Sequence, residues 1–331
     1  MEDITIYDIA KKAGVSAATV SRVINNYEHV RPVTREKVLR IISESNFVIN
    51  NTARSLSTQS TRIIGILIAD IRTTQHTDAI YHFTHEFYNH GYACLIYNTG
   101  SDPAKQAEFI QLLSTRKIEA VVMIGSIFQN DEVSDAVKKY IPDIPVGMCN
   151  GFLDLENVYS VVADERGGVR DCVRLLASKG YRNIVYISNN ITPSNALKIE
   201  GFKDGIRECF PSSSPSVVVS GEEIPDVCRS TFEIINNDAD AIIYSEDNLA
   251  LIGLHCIVSS GRRIPEDVAV IGINNSRYSG ISNPSLTSLD NMLQATSFNV
   301  VDKLLSVLQG GSADHLTVLE PEIVKRDSTG R

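Results

Sequence analysis

From Arg62 onward, short apolar runs alternate with stretches that carry apolar residues at helical spacing, and few architectures accept that pattern. The runs are Ile63–Ala69, Ala93–Tyr97, Ala120–Ile124, Pro145–Met148, Ile184–Ile187, Val217–Val219, Ala241–Tyr244 and Val268–Ile273. They lack the polar alternation of a half-solvated strand, so each reads as a strand buried on both faces. The intervening stretches are long enough to be crossover helices, which makes neighbouring strands parallel. So many runs in one chain exceed a single small sheet and predict two doubly wound α/β subdomains, with ligands held beyond the carboxyl ends of the strands.

The first 45 residues have a different texture. Thr5 and Asp8 have the spacing of a capping box, and Ile6, Ile9, Ala10 and Ala13 share one face before Gly14. This predicts a helix over Ile6–Ala13. Ser16 is placed to cap a second helix ending near Asn25, and a third is expected over Thr34–Ser45, with Val38, Ile41 and Ile42 inward. On the second helix Ala17, Ser21 and Asn25 recur at i, i+4 and i+8 with Ala18 and Arg22 beside them, whereas Val20, Val23 and Ile24 take the opposite side. One face packs and the other is free to dock, as in a helix-turn-helix whose second helix enters the major groove. Hydroxyls and amides suit phosphate oxygens, and Arg22 suits guanine O6 and N7. A small three-helix bundle with a solvated Ser/Asn face is the plainer alternative.

The net charge of −9 conceals an asymmetry that fits this reading. Residues 1–60 carry eight Lys/Arg against six acids, a local excess of +2, so the acidity belongs to the rest of the chain. No apolar run approaches the roughly 18 residues that span a bilayer, and Met1-Glu2-Asp3 opens no signal-peptide core, so a cytoplasmic protein without membrane partners is expected. Six cysteines without a C-x-x-C pair suggest neither a disulfide framework nor a zinc site, and all six are expected to be reduced. His82 and His85 can share a helix face, but His85 and His90 are five residues, about 500°, apart, so no metal site is expected.

The run Ile4-Thr-Ile-Tyr-Asp-Ile-Ala-Lys-Lys-Ala-Gly-Val-Ser-Ala-Ala-Thr-Val-Ser-Arg-Val-Ile-Asn25 closely resembles the start of LacI/GalR-type bacterial transcriptional repressors. The resemblance continues through Thr34-Arg-Glu-Lys-Val38 and Asn50-x-x-Ala53-Arg-Ser-Leu56 to about residue 326. It implies an all-α helix-turn-helix headpiece (1–48), a hinge helix (49–60) and a periplasmic-binding-protein-like effector and dimerisation domain (61–331). Within the last, it implies one subdomain over about 61–162 plus 292–319 and another over about 163–291 plus 320–331. The DNA-binding set it implies is Thr5, Ser16, Ala17, Ala18, Thr19, Ser21, Arg22, Asn25, His29 and Thr34, followed by Asn50, Ala53 and Leu56 of the hinge. In that family a hinge leucine, here Leu56, wedges into the minor groove and kinks the duplex. Where the family usually has proline before the hinge asparagine, this chain has Ile49.

For the effector cleft the resemblance points to Asp164, Lys198, Glu246 and Asn274, with Gln75 and His76 in the loop after the first strand. Lys198 stands where arginine is usual and Asn274 where aspartate is usual, so the ligand is expected to differ from that of the best-known relatives. Strand-end capping and surface solvation are the alternatives for these side chains. The partners implied are operator DNA with two half-sites, a second copy of the chain forming a homodimer, and a small effector of carbohydrate type. A nucleobase or a protein corepressor is the alternative. No cofactor is implied. An enzyme would need a phosphate loop or catalytic pair, and neither G-x-x-x-x-G-K-[ST] nor a strand-following G-x-G-x-x-G occurs.

Overall fold

The computed structural model describes residues 4–24, 27, 29–45, 60–189, 192–221 and 223–330. They form two compact units, residues 1–61 and 62–331. The hinge residues Ile49, Asn50, Ala53 and Leu56, and Asn25 at the end of the second helix, lie outside the described residues.

The first unit has three helices: α1 (Ile6–Ala13), α2 (Ala17–Ile24) and α3 (Pro32–Glu44). Both halves of the predicted capping box form, since the Thr5 hydroxyl accepts the Asp8 N–H and the Asp8 carboxylate accepts the Thr5 N–H. The Thr5 hydroxyl, which donates to the Asp8 carboxylate at 2.6 Å, and then the Thr5 N–H hold the Asp8 carboxyl below its usual range. Gly14 ends α1 with φ +67°, a left-handed conformation that costs glycine nothing, and turns the chain into α2. Helix α3 starts two residues before the expected Thr34 because Pro32 occupies the first turn, where a fixed φ fits and no N–H is needed. Ile9, Ala10, Ala13, Val20, Val23 and Val38 are buried together as a small core.

The second unit holds two six-stranded sheets. The first uses β1 (Ile63–Ile68), β2 (Ala93–Asn98), β3 (Ala120–Ile124), β4 (Val146–Cys149), β5 (Val158–Ala163) and β11 (Leu316–Leu319), in the order β2-β1-β3-β4-β5-β11. The second uses β6 (Ile184–Ser188), β7 (Ser216–Val219), β8 (Ala241–Tyr244), β9 (Ala269–Ile273), β10 (Thr287–Asp290) and β12 (Glu322–Val324), ordered β7-β6-β8-β9-β10-β12. All pairings are parallel except β10 with β12. The chain passes between the sheets three times, after β5, β10 and β11.

Helices α4 (Thr74–Asn89), α5 (Pro103–Ser114), α6 (Asp131–Tyr140) and α11 (Leu293–Leu308) cover the first sheet. Helices α7 (Glu165–Ser178), α8 (Pro193–Cys209), α9 (Ile224–Asn236) and α10 (Asp247–Ser259) cover the second. Each sheet buries an apolar cluster on both faces, which is why its central strands read as unbroken hydrophobic runs. Helices α7 and α8 approach so closely that a Cβ at Gly201 would strike the Arg166 carbonyl.

Four strands escaped the sequence pattern. β5 follows β4 through residues 150–157 without a crossover helix, and β10, β11 and β12 are three or four residues long, with Thr, Ser, Asp and Glu among them. The expectation that all six cysteines are reduced is corrected: Cys228 on α9 and Cys256 on α10 form a disulfide with Cα atoms 5.8 Å apart. Their separation of 28 residues hides this, because only the packing of two helices brings them together. Cys149 and Cys172 are free and buried, and burial pushes the Cys149 thiol up to about 12.

Candidate functional site

In the first unit the free face of α2 carries Ala18 and Arg22, both exposed, with Thr19 and Ser21 half-buried beside them. Arg22 makes no ion pair among the described residues, so its guanidinium is available to an outside acceptor. The Ser16 hydroxyl accepts the Thr19 N–H at 3.1 Å and thereby fixes the start of the helix. Ala17 departs from the sequence reading, since it is half-buried and packs partly against the core. Thr5 is exposed but engaged in its capping box, His29 is exposed, and Thr34 is half-buried in the first turn of α3. Tyr7, 74% exposed at the beginning of α1, is a candidate that sequence reasoning passed over.

In the second unit both sheets share one connectivity, so each has a switch point where loops leave neighbouring strands in opposite directions: β1/β3 in one sheet, β6/β8 in the other. A cavity of about 830 Å³ lies where the loops beyond these strands meet. It brings together Gln75, His76, Lys198, Glu246 and Asn274. Asp164 is not among its lining residues: its carboxylate caps α7 by accepting the Gly167 N–H at 2.9 Å, and the next residue, Glu165, lines the cavity instead.

Polar groups around the cavity are held by specific partners. Lys198 is 7% exposed, with Nζ 3.4 Å from Glu165 Oε1 and 3.4 Å from the Ser245 carbonyl oxygen. The Asn291 amide donates to Glu165 Oε1 and to Asn274 Oδ1, both at 3.0 Å. Asn274 is held at φ +99°, a conformation rare outside glycine that marks a position fixed by its surroundings. His76 Nδ1 lies 2.8 Å from the Asp70 carbonyl oxygen. Since a carbonyl only accepts, the proton sits on Nδ1. Asp70 is gripped by the Arg72 guanidinium at 2.6 Å, which with the Arg72 backbone N–H lowers its carboxyl to about 2.

Glu246 accepts the Asn189 amide at 2.9 Å and has no cation within 4.0 Å among the described residues. Next to it Asp247 is buried and accepts the Ser288 hydroxyl and the Ser276 N–H, each at 2.6 Å, tying α10 to the loop after β9. Burial raises the Asp247 carboxyl above its ordinary value despite those bonds. The two lobes are also joined by the Ser194 N–H donating to the Ser126 hydroxyl at 3.0 Å and by Arg277 with Asp78 at 3.0 Å.

Sequence reasoning missed Glu165, Ser245, Asn189 and Asn291. The usable signal was their position at strand ends, where this class of sheet places ligand contacts. Among the described lining residues there is no phenylalanine or tyrosine, and the chain has no tryptophan. Also among the described residues, no His, Cys, Asp or Glu cluster could hold a metal ion.

A helix-turn-helix unit followed by a two-lobed α/β unit with a polar cleft defines a transcription regulator with an effector-binding domain. Residues 5–50 match the pattern of bacterial regulatory proteins of the lacI family, and residues 173–329 that of a periplasmic binding protein-like domain. An HTH-type transcriptional regulator of Lachnoclostridium phytofermentans is 30% identical over 332 residues, covering 98% of this chain and 99% of its own. The lac repressor dimer bound to operator and the anti-inducer ONPF shares the fold with a TM-score of 0.86 at 22% identity over 100% of both chains. The regulator CelR in complex with cellobiose shares it with a TM-score of 0.70 at 22% identity, covering 98% of this chain and 99% of its own. The chain belongs to the lacI family of bacterial transcriptional regulators.

Proposed function

We propose that this regulator is a repressor that binds a two-half-site operator as a homodimer and that a small carbohydrate in the cleft sets its affinity for DNA. The observation that carries the carbohydrate reading is the lining of the cavity, which offers amides, hydroxyls and charged groups, with the His76 imidazole as the one aromatic ring among its described residues. Sugar hydroxyls both donate and accept, and such a lining answers them on several sides. A nucleobase would gain most from a large flat ring to stack against, and no phenylalanine, tyrosine or tryptophan is among the described lining residues. The regulator CelR, which shares the fold, is in complex with cellobiose, a carbohydrate.

The DNA reading rests on the exposed Ala18–Arg22 face of α2, and operator binding in the lac repressor dimer supports it. Exposed Tyr81 and Tyr88 on α4 and Leu95 and Ile96 on β2, all 37% exposed or more, supply apolar surface for self-association. Through the hinge residues Asn50, Ala53 and Leu56, effector binding would alter how two headpieces sit on DNA. An effector acts only through its differential affinity for the two states.

The test is an operator-binding titration with and without sugars, on the parent chain and two variants. Arg22→Ala should weaken specific binding by about 1–3 kcal/mol and random-sequence binding by much less. Asn274→Ala should keep operator affinity and lose the sugar response. Equal losses on both DNAs would contradict the first assignment, and an unchanged response would contradict the second.

A further inference from the structure

We propose that the effector is an amino sugar whose protonated amine is received by Glu246 and the adjacent Ser245 hydroxyl. This rests on the carbohydrate reading above and narrows it.

The argument is one of charge and unmet hydrogen bonding. Among the described lining residues are three carboxylates, Asp70, Glu165 and Glu246, and two basic side chains, Arg72 and Lys198. Arg72 is engaged by Asp70 at 2.6 Å and Lys198 by Glu165 at 3.4 Å, so both cations already have a carboxylate. Among the described residues Glu246 has only the neutral Asn189 amide, on Oε1. A net negative charge is therefore built into the cavity at the start of α10. The amino end of that helix offsets about half of that charge.

Ser245 supplies the second observation. It is 5% exposed, it lines the cavity, and its hydroxyl has no hydrogen-bond partner among the described residues. A buried hydroxyl left unpaired is costly, and a ligand that completes it recovers that cost. A ligand filling the cleft also strips water from Glu246. A phosphorylated or carboxylated sugar would bring a second negative charge to a place with no unengaged cation among the described lining residues. A neutral sugar would dehydrate the carboxylate without neutralising it. A primary ammonium carries three N–H donors and one positive charge, enough to serve the carboxylate and the serine oxygen with charge-assisted bonds.

The experiment is calorimetric titration of the full-length protein near pH 7. The probes are glucosamine, galactosamine, mannosamine and the chitosan disaccharide, each paired with its hydroxy counterpart (glucose, galactose, mannose, cellobiose), and glucose 6-phosphate. At least one amino sugar should bind about tenfold or more tightly than its counterpart. Glu246→Gln should erase that preference by weakening the amino sugar far more than its counterpart, and Ser245→Ala should weaken the amino sugar. Glu246 is half-buried and caps no helix through its side chain, so the glutamine variant should melt with the parent. Equal or tighter binding of a hydroxy or phosphorylated sugar overturns the amine assignment and leaves the carbohydrate reading standing. A folded, operator-binding protein that takes up none of these sugars overturns both.

Discussion

Lys198 and Glu165 are the most demanding pair in the cleft, and replacing Lys198 by methionine tests how they are held. Their side chains are 9% and 5% exposed, with nitrogen and oxygen 3.4 Å apart. At an effective dielectric of about 20, Coulomb attraction at that distance is about 5 kcal/mol, comparable to the several kcal/mol each ion loses on leaving water. The pair therefore adds little net stability, but removing one member exposes the full cost of the other. Lys198→Met fills similar volume and leaves Glu165 with the Asn291 amide as its side-chain partner among the described residues. The expected loss is about 3 kcal/mol, the low end for a broken buried pair because that amide remains. In a unit of this size it lowers the melting temperature by about 6–12 °C. Adding Glu165→Gln removes the stranded charge, so the double variant should recover most of the loss. Thermal unfolding followed by circular dichroism on the parent, both single variants and the double variant gives the coupling. If Lys198→Met melts with the parent, or the double variant is worse than either single, the buried-pair account is wrong.

Two further outcomes follow from local geometry. Gly201→Ala would set a methyl group against the Arg166 carbonyl, with the carbonyl carbon at 2.9 Å, and force α7 and α8 apart; we expect a loss of about 2–3 kcal/mol in urea unfolding, and an unchanged midpoint would show that the helices can separate freely. Asp70, lowered to about 2 chiefly by the Arg72 side chain and then by its backbone N–H, should titrate near that value by carboxyl NMR, and in Arg72→Ala its midpoint should rise towards 3.8. Because the folded value lies below the unfolded one, the stability linked to Asp70 is complete above pH 3.8 and disappears as the pH falls through about 2. A midpoint in the ordinary range in the parent would mean that the arginine does not hold this carboxylate.

Features written in local chemistry were legible before any coordinates. Thr5, Asp8, Gly14 and Ser16 each act on backbone groups within four residues, so the limits of α1 and the start of α2 follow from side chains that a linear reading can pair. The interior strands were legible because both of their faces are buried, which leaves an apolar run with no alternation to misread. β10, β11 and β12 were not, because short strands interrupted by polar residues carry no comparable signal, and what holds them is pairing with strands far away in sequence. The Cys228–Cys256 bridge failed to show for the same reason.

The cleft obeys the same rule with sharper consequences. Sequence identifies carboxylates near strand ends, but whether each turns into the cleft or caps its own helix is decided by a single rotamer. Asp164 and Glu165 are adjacent, and one closes the first turn of α7 while the other meets Lys198 from across α8. A charge count along the chain therefore says nothing about the charge a ligand meets. That quantity emerges only after each ion has taken its partner: Asp70 with an arginine two residues away, Glu165 with a lysine 33 residues away, and Glu246 with an amide that cannot neutralise it. Specificity in such a cleft can shift through the partner alone, because adding or removing a neutralising cation changes what Glu246 demands of a ligand without altering the carboxylate itself.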